Sequence, residues 1–137
     1  MTTKSDVDRK ALVAAAASAR ERAYAPYSGY RVGAALLTSA GRVYQGCNVE
    51  NAVYPLSMCA ERSAVFHAVC AGEEGFIAVA VVTENGGAPC GSCRQVLREF
   101  GDEILVLIGD SAGHWRETTV AELLPESFSA SDLGSGS

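Results

Sequence analysis

The spacing of hydrophobic and polar positions changes along the chain, and each change marks an expected element. From Asp6 to about Tyr24 the segment DVDRKALVAAAASARERAY sets Leu, Val and Ala among Arg and Glu with no Gly or Pro. That pattern predicts an amphipathic helix, ended by Pro26. After YAPYSGYRVG, the apolar runs VGAALLT and RVYQGCNV flank the turn residues Ser39, Ala40 and Gly41, which predicts a β-hairpin.

Beyond NVENAVYPLS, good helix formers run from about Cys59 until Gly72 supplies a C-terminal stop. FIAVAVVT is a short, continuous apolar run of the kind that forms a buried strand. NGGA reads as a loop, and Pro89 is placed in the first turn of a second helix, CGSCRQVLREF, where its missing N–H costs nothing. ILVLIG reads as another buried strand, HWRETTV as an edge strand, and TVAELLP as a last helical turn or two. The Ser/Gly-rich tail from about 127 to 137 is expected to fray.

Strands and helices alternating through the second half predict an α/β fold, a three-layer α/β/α sandwich around a mixed sheet of about five strands. A length of 137 residues with 48% in the hydrophobic set suits a single domain over residues 1–137.

Charge and cysteine content then narrow the function. A net charge of −5 does not favour a surface that grips a polynucleotide by its phosphates, so no nucleic-acid partner is expected. No apolar run approaches the roughly 18 to 20 residues that span a bilayer, and MTTKSDVDRK has no signal-peptide core. No membrane association is expected, and the expected compartment is the cytoplasm. Five cysteines are an odd number, and thiols stay reduced there, which favours metal binding over disulfides.

Cys59-Ala60-Glu61 opens one predicted helix, and Pro89-Cys90-Gly91-Ser92-Cys93 opens another. A helix N-terminus carries roughly half a positive charge and free N–H groups, which favour the thiolate form that binds metal. Cys59, Cys90 and Cys93 are therefore candidate zinc ligands. Catalytic zinc keeps an open position beside its protein ligands, whereas structural zinc takes a fourth. Cys70 lies roughly 16 Å and His67 roughly 12 Å from Cys59 along a helix, too far to serve. His114 is placed in a solvated loop after the last strand. Cys47 and Cys70 are expected to be buried apolar residues, but Cys47 stays open as a fourth ligand, and with it a purely structural site.

Glu61, two residues from Cys59, can project beside the open position as a general acid and base. Zinc would lower the pKa of its water to about 7, and Glu61 would carry protons to the ring nitrogen and to the departing ammonia of a cytosine. Arg62 could donate to the cysteine sulfurs and offset their charge, against the alternative of an exposed helix charge.

Three thiols, a non-ligand carboxylate and a P-C-x-x-C stretch match the pattern known for zinc deaminases. The runs CNVENAVYPLSMCAER, PCGSCRQVLREF, YAPYSGYRVGAALL and ELLPESF closely resemble the short-chain, homotetrameric cytidine deaminases of pyrimidine salvage, over nearly the whole chain. The resemblance implies one Zn2+ per subunit and hydrolysis of cytidine and 2'-deoxycytidine to uridine and 2'-deoxyuridine. It implies that Asn48 and Glu50 bind the ribose hydroxyls, where the residues alone favour a turn cap. It also implies that Tyr30 packs near the base and that backbone groups around Ala60 and Pro89 contact the pyrimidine edge. Neighbouring subunits would complete each pocket, with Tyr54 and Phe128 as candidate contacts across the interface. The family's tail carries a longer charged end, whereas this chain finishes in LGSGS.

A deaminase of the same fold acting on another cytosine nucleoside, such as the blasticidin S type, shares the zinc and Glu features but differs in the NVEN segment. A polynucleotide cytosine deaminase would need a basic and aromatic surface. A non-enzymatic zinc module predicts a fourth thiolate and tolerance of Glu61→Gln.

Overall fold

The computed structural model describes residues 2–134. Helix α1 (Arg9–Arg20) is N-capped by Asp8, whose carboxylate accepts from the Ala11 amide at 3.0 Å. A single 3-10 turn, Lys4–Asp6, precedes it. The helix is thus shorter than the pattern from Asp6 to Tyr24 predicts, and it stops before Pro26 is reached. The cause is tertiary: Tyr24 donates to the Asn48 carbonyl at 2.9 Å and accepts from the Glu50 amide at 2.8 Å, which draws the chain out of the helix.

The hairpin is β1 (Gly33–Thr38) and β2 (Val43–Cys47). Helix α2 (Ala60–Cys70) follows, then β3 (Phe76–Val82), α3 (Gly91–Phe100), β4 (Leu105–Gly109), β5 (Trp115–Thr119) and the single turn α4 (Val120–Leu123). The five strands form one mixed sheet in the order β2-β1-β3-β4-β5, in which β3 and β4 are parallel and the other pairs antiparallel. Within HWRETTV, Trp115–Thr119 form the expected edge strand β5, and Val120 already opens α4. His114 lies, as expected, in an exposed loop after the buried strand β4, where the Asp110 carboxylate accepts from the His114 amide at 3.1 Å and reverses the chain into β5.

Alternate residues of the inner strands face opposite layers. Leu12, Val13 and Ala16 of α1 pack on Ala35, Ala78, Ala80, Val82 and Leu107. On the other face, Ala64, Val65 and Ala68 of α2 and Leu97 of α3 pack on Leu36, Val79, Val81 and Val106. Both faces are covered, hence the continuous apolar runs. This is the expected three-layer sandwich, and each fully buried Leu or Val contributes about 1.5 to 3 kcal/mol.

Two glycines set the helices close to the hairpin. A Cβ on Gly33 would lie 2.0 Å from the Ala16 carbonyl oxygen of α1. One on Gly46 would lie 2.4 Å from the Ala64 amide nitrogen of α2. This contact seats α2 on β2.

Pro89 lies outside α3. Cys90 is the N-cap in an extended conformation (ψ 167°), so the helix begins at Gly91. In the tail, Arg98 Nε donates to Ser127 Oγ and Gln95 Nε2 to the Phe128 carbonyl, both at 2.9 Å, and a 3-10 turn covers Ala130–Leu133. Positions 135–137 of the expected frayed tail lie outside the described residues. Among the described residues no helix is long and apolar enough to cross a membrane.

Candidate active site

Cys59 is the N-cap of α2, Cys90 the N-cap of α3, and Cys93 lies in the first turn of α3. Packing both helices on one face of the sheet brings the three Sγ atoms within 4.8 Å of one another, with Cys59–Cys90 at 3.9 Å and Cys90–Cys93 at 3.4 Å. Tetrahedral zinc with Zn–S bonds near 2.3 Å needs sulfurs roughly 3.8 Å apart, so this donor set fits zinc.

Among the described residues no fourth His, Cys, Asp or Glu joins the group. Cys47 is half-buried and donates to the Arg22 carbonyl at 3.5 Å, away from the cluster. Cys70 is exposed at the last residue of α2. Neither is the buried apolar residue expected, because β2 is a partly exposed edge strand and Cys70 falls on the outer side of α2 with Phe66 and Val69. His67 also lies outside the group, where its ring stacks on Tyr44 with centroids 5.1 Å apart.

The thiols share their protons unequally. Hydrogen bonding with Cys93, together with Arg62, draws the Cys59 thiol down to about 5. Cys93 is pushed well up by that same bond and by burial. Arg62 Nη2 donates to Cys59 Sγ at 3.2 Å. Its Nε is buried without a hydrogen-bond partner among the described residues, so Arg62 is no solvated helix charge.

Glu61 projects from the first turn of α2 and is only 5% exposed. Burial pushes its carboxyl up to about 7, and the nearby Cys59 adds to the rise. A carboxyl poised near neutrality can both take and give a proton.

Glu61, Cys59 and Cys90 face a cavity of about 440 Å³ that is also lined by Tyr30, Asn48, Glu50, Tyr54, Ala60 and Arg62. Its size suits a small organic ligand. Phe128 is not among the lining residues: it is 57% exposed, and its carbonyl is held by Gln95. Pro89 is absent from the lining as well, and its carbonyl accepts from Arg94 Nε at 2.7 Å.

Asn48 and Glu50 do more than cap a local turn. Asn48 Oδ1 accepts from the Val32 amide at 2.9 Å, and its Nδ2 donates to the Tyr30 carbonyl at 2.8 Å. Glu50 accepts from the amides of Tyr27 at 2.9 Å and Ser28 at 3.0 Å, and from the Ser28 hydroxyl. Those bonds, the Ser28 hydroxyl first, hold its carboxyl below the ordinary value. Both side chains thus fasten the 27–32 loop while facing the cavity. The amide can accept or donate further bonds beyond these, and the carboxylate can accept them.

Ser28, Thr83, Gly87 and Ala88 also line the cavity and were not singled out from sequence. The Ser-Gly turn signal at 28–29 was the one available hint for Ser28. Thr83 simply ends an apolar strand, and nothing local marks it.

The cytidine and deoxycytidylate deaminase zinc-binding region, as a family model, matches residues 6–108. A cytidine deaminase from Sporosarcina psychrophila is 48% identical over 130 residues, which is 93% of this chain and 96% of that protein. One from Mycobacterium tuberculosis H37Rv is 42% identical over 130 residues, 93% of this chain and 95% of the relative. The crystal structure of cytidine deaminase from Burkholderia pseudomallei shares 50% identity and superposes with a TM-score of 0.85, covering 89% of this chain and all of that one. Five strands in this order, thiols from two helix starts and a buried carboxylate between them agree with that kinship, and the chain belongs to the zinc-binding cytidine and deoxycytidylate deaminase family.

Proposed function

We propose that this protein hydrolyses the 4-amino group from cytidine and 2'-deoxycytidine, releasing ammonia and leaving uridine and 2'-deoxyuridine. The observation that carries this is the meeting, in one nucleoside-sized cavity, of thiols that fit a single metal ion with a buried carboxyl that is not a ligand.

Cys59, Cys90 and Cys93 would hold one zinc ion per subunit, which when bound supplies the Lewis acidity that makes water nucleophilic near neutral pH. Glu61 takes a proton from the attacking water, passes it to ring nitrogen N3 of the base, and later delivers one to the departing amine. A carboxyl held near 7 can do each in turn at neutral pH. Arg62 donates to Cys59 Sγ and so draws negative charge off the thiolate set, which keeps the metal electrophilic.

The ring of Tyr30 flanks the base and backbone at Ala60 reads the pyrimidine edge, while Tyr54, expected as a contact across the interface, lines its own chain's cavity and closes its side. Asn48 and Glu50 receive the ribose hydroxyls. A Glu50 carboxylate held ionised by Ser28 and Tyr27 is a strong acceptor for them. Pro89 is left a supporting role, since its carbonyl is engaged by Arg94.

The assembly is a homotetramer in which Phe128 of one subunit reaches a neighbour's pocket. Exposed apolar side chains, among them Leu56 (68%), Phe66, Val69 and Phe128, offer the surface that a subunit interface would bury. One domain spanning the chain, a place in pyrimidine salvage and a cytoplasmic location complete the proposal. The five free cysteines favour a reducing compartment. No nucleic-acid or membrane partner is invoked, and the net charge of −5 supports the former.

The test is the ultraviolet absorbance change when purified protein meets cytidine, beside a zinc assay and Glu61→Gln as control. Turnover by wild type alone is expected. Zinc bound without turnover would instead favour a blasticidin S type deaminase or a structural metal, and light scattering tests the tetramer.

A further inference from the structure

Tyr30 presents a ring to the cavity, yet it also carries a hydroxyl that stacking does not require. That hydroxyl donates to Asn85 Oδ1 at 2.8 Å, joining the 24–32 loop to the loop between β3 and α3. Thr83 Oγ1 donates to the same Asn85 oxygen at 3.4 Å and accepts from the Gly87 amide at 2.8 Å. Gly87 sits against all three oxygens. A Cβ there would lie 2.7 Å from Tyr30 Oη, 3.7 Å from Asn85 Oδ1 and 3.8 Å from Thr83 Oγ1. A side chain at position 87 would therefore push the Tyr30 hydroxyl off its partner.

Tyr30, Thr83, Gly87 and Ala88 line the cavity, whereas Asn85 does not. Resting on the deaminase reading above, we infer that Asn85 is a positioning residue for the base subsite, fixing the Tyr30 ring against the Gly87–Ala88 wall through one shared hydrogen-bond node. The segment 84–88 contains consecutive glycines, one with φ +78°, and such a stretch has much conformational freedom to lose when substrate arrives. Tying it to Tyr30 beforehand orders two walls at once, which lowers the cost of binding. The node touches neither the thiols nor Glu61, so its loss acts on substrate affinity more than on the chemical step.

The experiment measures kcat and KM for cytidine, zinc content and thermal midpoint in wild type, Tyr30→Phe, Asn85→Ala, their double variant, and Asn85→Asp. Each of the first two single variants is expected to raise KM about three- to tenfold, the span of one net hydrogen bond, with kcat within about twofold. Zinc content should stay at the wild-type level. The double variant should be no worse than the poorer single, because both remove the same bond. Asn85→Asp keeps the acceptor and should restore KM. Gly87→Ala should raise KM in the wild-type background and add no further rise in the Tyr30→Phe background, where the colliding oxygen is gone. Unchanged KM in both single variants, KM effects that multiply in the double, or loss of zinc and kcat together would overturn the inference while wild-type turnover leaves the deaminase reading standing. Absence of wild-type turnover would overturn both.

Discussion

The thiols and Glu61 stand on the N-caps and first turns of α2 and α3, whereas Tyr30, Asn48 and Glu50 stand on irregular chain. On the first wall the helix backbone itself aims each group, and buried neighbours such as Ala60, Ala64 and Leu97 hold the helices in place. On the second wall, side chains hold the backbone: Glu50 gathers Tyr27 and Ser28, and Asn48 gathers Tyr30 and Val32. The same residues that face the ligand are thus also the fasteners of their own loop. Damage to the helix-borne wall should abolish chemistry and leave the fold, whereas damage to the loop-borne wall should weaken binding and local stability together.

The comparison is broken most sharply at the thiols. Cys90→Ala should lose metal and activity together, read by zinc content and cytidine turnover, because two sulfurs cannot close the site that three fit. Glu61→Gln should keep zinc and fold but lower kcat by about 10²- to 10⁴-fold, the scale of a general acid–base group. Turnover at the wild-type rate in that variant would remove Glu61 from the mechanism.

On the loop wall the effects should be smaller and differently placed. Glu50→Ala leaves the Tyr27 and Ser28 donors without their acceptor, so KM should rise about tenfold and the thermal midpoint should fall, with zinc retained. A variant that lost kcat alone would erase the distinction between the walls.

The smallest effect expected is acid-dependent. The folded Glu50 carboxyl is held below its ordinary value of 4.5, so its contribution to stability is whole above 4.5 and is lost as pH falls through the lower folded value. Thermal midpoints of wild type and Glu50→Gln should therefore differ above pH 4.5 and converge below it. A gap that persisted in acid would show that shape, not charge, fastens the loop.

Much of the first wall was legible because its signals are local. Thiol, carboxylate and helix start share a few consecutive positions in Cys59-Ala60-Glu61 and in Cys90 to Cys93. The strands were legible as apolar runs for the same reason, since burial on both faces leaves a mark at every position. The roles of Ser28, Thr83 and Asn85 were not, because a polar residue in a turn looks alike whether its partner is solvent or a side chain many residues away. The end of α1 was misplaced on the same account, since helix propensity continues past Arg20 and the pull of Asn48 and Glu50 on Tyr24 has no local trace.

By itself, then, the sequence determined the order of helices and strands, the layers they form and the chemistry at two helix starts, all properties written in neighbouring residues. The tertiary structure alone decided that Cys47 stands apart from the metal ligands, that Phe128 lies outside its own chain's cavity, and that Asn48 and Glu50 bind a loop as they face it. Each of those outcomes depends on which distant segments meet, and the energy that decides it resides in hydrogen bonds and packing between them rather than in any stretch of chain.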